Sequence, residues 1–259
     1  MIVKTKSSLF RKPGLISAIS AAGLLWCVCS EFSLADTPAK PAEPQPPQPQ
    51  VQPKTPALPD LAPLALELPG ATLKGTPSDL PTGANIEPPP DPDKAPPPFM
   101  APKGVKNVAL SKKVTASVNP FMGELSQITD GQKEPIDDQV AQMRKGTQYV
   151  QVDLGEVYSI YAVAMWHDHC YLQIFHDVIV QVADDAEFTK NVRTLFNNDT
   201  DNSSGLGLGT DREYFETRLG KIVDAKGVKA RYVRCYTKGS HLSAINAWQE
   251  VEVYGLPAS

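Results

Sequence analysis

Apolar and polar side chains alternate most clearly in residues 149–155, near the middle of the chain. Val150, Val152 and Leu154 alternate with polar residues, which is the period of a strand with one buried face. Gly155 follows them and indicates a turn. The pattern therefore predicts a half-buried β-strand of a sandwich that ends at this glycine.

Short runs rich in β-branched residues recur on both sides of this strand and are separated by Gly, Asn and Asp. They occupy residues 107–110, 114–117, 158–166, 177–183, 192–196, 229–236 and 247–254. Helical periodicity is almost absent over the same span. These runs predict an all-β, antiparallel sandwich or barrel.

Proline divides the chain into parts. Of its 25 prolines, 21 lie between Pro38 and Pro102, and only three follow. Because proline fixes φ and removes a backbone donor, the Pro-rich part favours extended polyproline II over sheet or helix. We expect a disordered Pro-rich linker over residues 36–103 and a single folded domain over residues 104–259.

The first 35 residues have the pattern of a secretory signal peptide. Four basic residues precede an apolar run over residues 15–29, and the small residues of Ser33-Leu34-Ala35 offer a cleavage site. The run is shorter than the roughly 20 apolar residues of a typical membrane span. We predict a secreted protein or one held in the periplasm or cell envelope, with an uncleaved anchor as the alternative.

The charge of the folded part argues against a polyanionic partner. Residues 103–259 contain 17 Lys and Arg against 20 Asp and Glu, and the basic residues form no stripe. Nucleic-acid binding depends on such basic surfaces, so we predict none.

Two cysteines, Cys170 and Cys235, remain beyond the predicted signal. Cys235 falls on the same strand face as Val233, where an apolar core residue is expected. A disulfide between the two cysteines stays open as an alternative, because an exported protein meets oxidising conditions.

Six segments resemble, in order, the signatures of the discoidin domain, also called the coagulation-factor type C domain. They are residues 107–110 (NVAL), 128–131 (ITDG), 149–155 (YVQVDLG), 180–185 (VQVADD), 230–234 (ARYVR) and 250–255 (EVEVYG). The resemblance implies an eight-stranded antiparallel jelly-roll β-sandwich of the galactose-binding-like kind, usually a non-catalytic binding module. Its expected targets are carbohydrates, phospholipid head groups or cell-surface proteins, met by loops at one end. We expect a monomeric domain.

The same resemblance implies a structural Ca²⁺ held by Asp130 of the Asp-Gly loop and Glu250 of the last strand. Backbone carbonyls of residues 132–135 would complete an oxygen shell of the kind that Ca²⁺ prefers. In the alternative, Asp130 caps a turn and Glu250 is a solvated strand residue.

Sugar binding needs an aromatic ring to stack on the C–H face of the pyranose, with amide or charged groups around it. One predicted loop supplies Asp168, His169 and Tyr171. Residues near another loop are the second group of candidates: His241, Asn246 and Trp248. Packing in the core is the alternative for Trp248 and for Trp166.

The loop at residues 119–123 offers a different kind of contact through Phe121 and Met122. In membrane-binding members of the resembled family, the corresponding loop exposes apolar residues. Insertion into lipid or a partner is therefore an alternative that we do not favour, since both side chains can equally fold onto the core.

Three histidines, His167, His169 and His176, lie close together in the sequence. If residues 158–166 and 177–183 pair as a hairpin, His167 faces His176, and the pair could share a transition metal with Asp168 or Cys170. No Gly-x-Ser-x-Gly elbow or phosphate loop accompanies them. A metal-dependent enzyme is therefore only a third hypothesis, and we predict that the protein is not an enzyme.

A polar loop at residues 197–211 carries Asp199, Asp201 and Ser203 at alternate positions. Its glycine lies one place too late for an EF-hand, and Glu is absent at the twelfth position. We expect a long polar loop that can form one wall of a ligand site.

Together these patterns predict a non-catalytic module that binds carbohydrate or another cell-surface component. A structural or protein-interaction module without a small ligand is the main alternative.

Overall fold

The computed structural model describes residues 60–71, 74–91, 94, 96–135 and 139–258. The predicted signal peptide (residues 1–35) and residues 36–59 of the predicted linker lie outside these residues. The described residues contain one 3-10 helix, at Leu125–Thr129. Their strands are β1 (Leu61–Pro63), β2 (Met100–Pro102), β3 (Lys106–Asn107), β4 (Lys113–Ala116), β5 (Ala141–Met143), β6 (Gln148–His167), β7 (Ile179–Ala183), β8 (Arg193–Asn197), β9 (Lys221–Thr237) and β10 (Asn246–Pro257).

The central element is β6, which combines two strands that the sequence predicts as separate. Its first part pairs with β4 and with the end of β9, and its second part pairs with β10 and with the start of β9. The pairing register with β9 shifts between Asp153 and Tyr158. Gly155 lies in this bend with φ of 87°, a conformation that glycine adopts without a Cβ clash. The predicted turn at Gly155 is therefore a bend within one long strand.

The strands form the predicted antiparallel sandwich. The order is β3-β10-β6-β9-β7-β8, with β4 also on β6 and β5 also on β10, which gives eight strands. Because β6 and β9 both bend, their two halves lie in opposing layers, and the alternating apolar faces meet between them. This confirms the predicted all-β, antiparallel sandwich fold.

The main core lies between the layers and includes Trp248, Val150, Val152 and Cys235, all buried. The placement of Cys235 in the core is confirmed. Cys170 is also buried, and no disulfide joins the two cysteines. The Cys170 thiol instead lies 3.1 Å from the carbonyl oxygen of Pro135. The disulfide alternative is wrong.

The part of the predicted linker that the structure describes packs against the domain, so the predicted boundary at residue 103 is wrong. We call residues 60–102 the strap. The described residues from Asp60 onward belong to one compact unit. In the strap, β1 pairs with β2, and apolar side chains cover a second small core on the outer face of the sheet. The strap contributes Leu64, Leu66 and Phe99, and the sheet contributes Ala162, Ala164, Trp166 and Tyr254.

Backbone hydrogen bonds also tie the strap to the domain. Lys74 N donates to Cys170 O at 2.6 Å, and Glu87 N donates to Glu213 O at 2.7 Å. Proline lacks an N–H, but the residues between the prolines keep theirs, so an extended Pro-rich chain can pair locally with a neighbouring segment. The strap is thus a structural part of the domain.

The predicted hairpin between residues 158–166 and 177–183 is wrong. β7 pairs with β8 and β9, and β9 lies between β6 and β7. His167 is opposite Trp248 of β10, and His176 lies before the start of β7.

Both ends of β6 and both ends of β9 lie at one end of the sandwich. The start of β6 pairs with the end of β9, the end of β6 pairs with the starts of β9 and β10, and Asn246 at the start of β10 bonds to Thr237 Oγ1 and to Gly146 O. The loops before β5, β7 and β10 and those after β6, β8 and β9 gather there, and we call this region the loop end. No helix in the described part of the chain is long and apolar enough to cross a membrane.

Candidate functional site

A small cleft at the loop end contains one of the predicted ligand residues, Asp168. We call it the rim cleft; its volume is about 90 Å³. Its walls come from β5, from the segment after β6 and from the β9–β10 loop. The lining residues are Gln142, Asp168, Gln173, Phe175, Ser240, Ser243, Ile245 and Ala247.

Hydrogen bonds hold the polar wall of the rim cleft in place. Asp168 Oδ1 accepts a bond from Cys170 N at 2.9 Å. Gln173 Nε2 donates to Asp168 O at 2.7 Å, and Gln173 Oε1 accepts a bond from Ser240 Oγ at 2.8 Å. Carboxylate, amide and hydroxyl groups therefore converge on one small concave surface.

Exposed apolar side chains lie in the loops around the rim cleft. In the β9–β10 loop, Leu242 and Ile245 are 45% and 36% exposed. Phe121 and Met122 are 52% and 45% exposed, and Phe121 N donates to Gln142 O at 2.9 Å. The sequence alternative in which Phe121 and Met122 fold onto the core is therefore wrong, and their surface is available to a partner.

Three of the predicted ligand residues are buried instead of lining an open site. Trp248 is 0% exposed in the main core, with its ring 4.3 Å from that of His167. It therefore cannot stack on a sugar. His169 is 1% exposed, and its Nε2 lies 2.8 Å from Lys133 O.

Asn246, the third buried candidate, connects the loops. Its Oδ1 accepts bonds from Thr237 Oγ1 at 2.7 Å and from Gly239 N at 2.9 Å. Its Nδ2 donates to Arg144 O at 2.7 Å and to Gly146 O at 3.0 Å. Because both amide atoms are fully used within the protein, Asn246 positions the loop end and leaves no group for a ligand.

The remaining candidates, Tyr171 and His241, lie nearer the surface. Tyr171 is 43% exposed and forms an isolated bridge with Gly75 of the strap. His241 Nδ1 accepts a bond from Ile174 N at 3.0 Å, so the neutral ring carries its proton on Nε2. Tyr171, His241 and Asp168 are the predicted ligand residues that are not buried.

The histidines do not form the metal site that the third hypothesis requires. His167 is buried with its Nδ1 2.7 Å from Glu216 Oε2, and its ring stacks on Phe175 at 4.4 Å. His176 instead pairs with Glu213 at 2.8 Å. Among the described residues, the three-residue group with metal-binding spacing contains no histidine.

The predicted cation residues Asp130 and Glu250 do lie together. Gly131 N donates to Glu250 Oε1 at 3.2 Å, and Asp130 Oδ1 accepts a bond from Gln132 N at 2.8 Å. The second oxygen, Glu250 Oε2, is buried without a hydrogen-bond partner among the described residues. The predicted alternative of a solvated Glu250 is therefore wrong.

The electrostatics around Glu250 fit a bound cation. Burial raises the pKa of Glu250 to about 9, and the carboxylates of Glu252 and Asp130 act in the same direction. Lys133 supplies one positive charge, but its Nζ pairs with Glu252 Oε1 at 2.7 Å. An unpartnered carboxylate oxygen beside further carboxylates suits a hard cation such as Ca²⁺.

Sequence reasoning missed a second cleft at the loop end, which we call the acidic cleft. It has a volume of about 280 Å³. Three of its lining residues are singled out by the sequence for other reasons: His176 in the histidine group, and Asp201 and Ser203 in the polar loop. The lining residues are His176, Asp177, Asn198, Thr200, Asp201, Ser203, Glu213 and Lys238.

The molecule is thus an antiparallel β-sandwich module with two polar clefts at its loop end. No protein family model and no curated protein matches the sequence. One solved structure that is similar to this chain is chitosan-binding module 1 of a chitosanase/glucanase from Paenibacillus sp. IK-5. The two sequences are 20% identical, the match covers 58% of this chain and 99% of that chain, and the TM-score is 0.42.

Two further similar structures are a fucose-binding module of Streptococcus pneumoniae and the lectin domain of lectinolysin in complex with the Lewis B antigen. The first has 18% identity, covers 60% of this chain and 98% of that chain, and gives a TM-score of 0.43. The second has 17% identity, covers 60% of this chain and 98% of that chain, and gives a TM-score of 0.41. Similarity at this level assigns no ligand to this chain.

Proposed function

We propose that this protein is a non-catalytic, monomeric binding module that recognises carbohydrate at its loop end through the rim cleft. The observation that carries the proposal is the convergence of Asp168, Gln142 and Ser243 in a concave surface with exposed apolar neighbours. Sugar sites combine these features, because hydroxyl groups need directed polar partners and the ring needs an apolar surface.

The roles within the rim cleft follow from the chemistry of the side chains. Asp168 has one oxygen bonded to Cys170 N, and its other oxygen can accept a sugar hydroxyl. Gln142 and Ser243 can each donate and accept. Ile245 offers an apolar surface to the C–H groups of the ring. At about 90 Å³ the cleft holds only part of a sugar ring, so the rest of the ring would lie over the exposed side chains around it.

Glycan-array screening followed by calorimetry tests the proposal. The first panel should contain chitosan fragments, fucose and Lewis B oligosaccharides, the sugars named for the similar structures. Asp168→Asn keeps an oxygen for Cys170 N but removes the charge, so we expect a loss of affinity of about tenfold or more. Glu187→Gln, an exposed change in the loop after β7, is the matched control.

Two results would contradict carbohydrate recognition at this cleft. One is the absence of binding across the array by the correctly folded protein. The other is equal affinity of wild type and Asp168→Asn for the sugar that is found.

The exposed apolar residues around the rim cleft favour a second candidate, a protein-interaction module without a small ligand. Phe121 and Met122 are its main contacts, since both are about half exposed. Binding to a target surface that survives enzymatic deglycosylation, and is lost in Phe121→Ala, would favour this candidate. If the wild-type protein binds phosphatidylserine vesicles and Phe121→Ala does not, the result would indicate a membrane contact instead.

We also propose a structural Ca²⁺ held by Asp130 and Glu250. The support is the buried, unpartnered Oε2 of Glu250 in a carboxylate-rich environment. A bound divalent cation would neutralise these carboxylates and fix the Asp-Gly loop against β10. Calorimetric titration with Ca²⁺ should show one binding site in wild type and none in Glu250→Gln. If the heat of Ca²⁺ binding is the same in Glu250→Gln as in wild type, the assignment is wrong.

We propose further that the protein is exported, as a secreted or periplasmic, envelope-held protein. The support is the signal-like pattern of residues 1–35. Mass spectrometry of the mature N-terminus tests this: a start at Asp36 supports cleavage, whereas an intact Met1 in a membrane fraction supports an anchor.

A further inference from the structure

The acidic cleft is a second candidate site that the proposed function does not use. It lies beside the rim cleft, because Phe175 lines the rim cleft and the next residue, His176, lines the acidic cleft. Both residues pair with the segment that follows β9: His176 N donates to Gly239 O at 2.9 Å, and Phe175 forms a bridge with Ser240. Its volume of about 280 Å³ approaches the lower end of small-molecule pockets, roughly 300 Å³. It is therefore large enough for one sugar unit.

Three carboxylates come together at this cleft. Asp177, Asp199 and Asp201 each offer an oxygen within 4.8 Å of the others. Asp199 is fully buried and is used by its own loop, since it accepts bonds from Ser203 N at 3.1 Å and Ser204 N at 2.9 Å. Asp177 and Asp201 line the cleft itself.

The positive groups of the cleft do not balance these charges. Lys238 Nζ lies 3.6 Å from Asp177 Oδ2. His176 pairs at 2.8 Å with a fourth carboxylate, Glu213, and this hydrogen bond raises the pKa of His176 above its ordinary value. Even with His176 protonated, the three lining carboxylates, Asp177, Asp201 and Glu213, outnumber the two cations, and Asp199 is buried nearby. The cleft therefore favours a ligand that brings a positive charge.

An independent observation points to a second group on the ligand. Asn198 lines the cleft, is 3% exposed, and its Nδ2 is buried without a hydrogen-bond partner among the described residues. Its orientation is set, because Oδ1 accepts a bond from Val178 N at 2.7 Å. An unsatisfied amide N–H₂ needs an acceptor oxygen, which a bare metal ion does not supply.

From these two requirements we infer that the acidic cleft binds an amino sugar: its ammonium group lies against Asp177 and Asp201, and an adjacent hydroxyl oxygen accepts from Asn198 Nδ2. The inference rests on the proposed carbohydrate function but concerns a separate cleft. Lys238 and Glu213 supply further donors and acceptors for the remaining hydroxyls.

Calorimetry or NMR titration of the full chain with four probes tests this inference. Glucosamine carries both the ammonium group and the adjacent hydroxyl, whereas glucose lacks the ammonium group. In N-acetylglucosamine, acetylation removes the positive charge of the amine. Ethanolamine has an ammonium group and a hydroxyl but no sugar ring. We expect glucosamine to bind about tenfold or more tightly than each of the other three.

Two variants connect the binding to the cleft. Asp201→Asn keeps an oxygen for Ser203 N, which now donates to Asp201 Oδ1 at 2.9 Å, but removes one charge from an exposed position. We expect this variant to melt at the wild-type temperature and to lose about tenfold in glucosamine affinity. Glu187→Gln, an exposed change that lines neither cleft, should leave glucosamine binding unchanged.

The outcomes separate this inference from the proposed function. Equal binding of glucosamine and glucose, glucosamine affinity that is unchanged in Asp201→Asn, or binding of Ca²⁺ alone that is lost in Asp201→Asn would overturn the inference. Loss of glucosamine binding in Asp168→Asn, with no effect of Asp201→Asn, would place the ligand in the rim cleft and also overturn it. A sugar found on the array whose affinity is unchanged in Asp168→Asn would contradict the rim cleft and leave the glucosamine test unaffected.

Discussion

The variant Glu250→Gln separates the charge of this buried side chain from its shape. The amide is close in size to the carboxyl and keeps an oxygen for Gly131 N, which donates to Glu250 Oε1 at 3.2 Å. In the metal-free protein the folded state holds a proton on Glu250 up to a pKa of about 9, whereas the ordinary value is 4.5. The unfolded chain therefore releases a proton that the folded chain retains.

The sign and size of the effect follow from this difference. Because the folded pKa is raised, the free energy of unfolding falls as the pH rises through the window from 4.5 to about 9. Each pH unit in that window costs about 1.4 kcal/mol, so the loss reaches roughly 3 kcal/mol at neutral pH. Glu250→Gln should remove this loss and make the metal-free protein more stable than wild type above about pH 7.

Urea denaturation in EDTA at about pH 5, 7 and 8.5 measures the effect. We expect the wild-type free energy of unfolding to decline across the series and that of Glu250→Gln to change much less. With Ca²⁺ at about 100 times its dissociation constant, wild type should gain about 2.7 kcal/mol, and the variant should gain nothing.

Glu187→Gln is the control, because it removes an exposed carboxylate and should leave the pH slope of wild type intact. Equal pH slopes for wild type and Glu250→Gln in EDTA would refute the reasoning about Glu250. Equal stabilisation of both proteins by Ca²⁺ would refute the cation site and leave the burial argument standing.

Three further changes test the packing that positions the loop end. Phe99→Ala removes a half-buried ring of the strap and should lower the free energy of unfolding by about 1–2 kcal/mol in urea titration, without altering sugar binding at the rim cleft. Gly220→Ala would place a Cβ 2.5 Å from Trp166 Cε2 at a positive φ of 64°, so we expect a loss of about 2 kcal/mol or more in the same assay. Asn246→Ala leaves two buried partners, Thr237 Oγ1 and Gly239 N, and two partly buried carbonyl oxygens without their hydrogen bonds. We expect a lower melting temperature together with faster amide exchange in the β9–β10 loop, and wild-type exchange rates would contradict the connecting role of Asn246.

The alternation of apolar residues was enough to predict the fold class but not the length of the strands. Val150, Val152 and Leu154 are buried as the period-2 pattern indicates. The local pattern predicts that the strand ends at Gly155, yet pairing continues beyond it to His167. Local sequence cannot distinguish a turn from a bend, because glycine serves both and the neighbouring strands decide the outcome.

The candidate site was predictable only in part, for a similar reason. Residue chemistry singled out Asp168 and Trp248 equally, but the first lines a cleft and the second is buried between the layers. The pairing of Asp130 with Glu250 came from the family resemblance and lies beyond any spacing rule, since 119 residues separate Gly131 from Glu250. The acidic cleft gathers residues from four separate segments, so its composition depends on strand order.

The strap shows most directly how the N-terminal Pro-rich sequence affects the site. Ile86 forms an isolated bridge with Glu213, and Glu213 N donates to Asn85 O at 2.9 Å, so this part of the strap holds the backbone of a residue that lines the acidic cleft. Glu213 in turn holds His176 at 2.8 Å. A free linker would leave the Glu213 segment without these backbone partners and would expose Trp166 on the sheet face. Variants that start at residue 104 should therefore lose the order of the acidic cleft along with stability, which makes the strap part of the folded unit rather than a spacer before it.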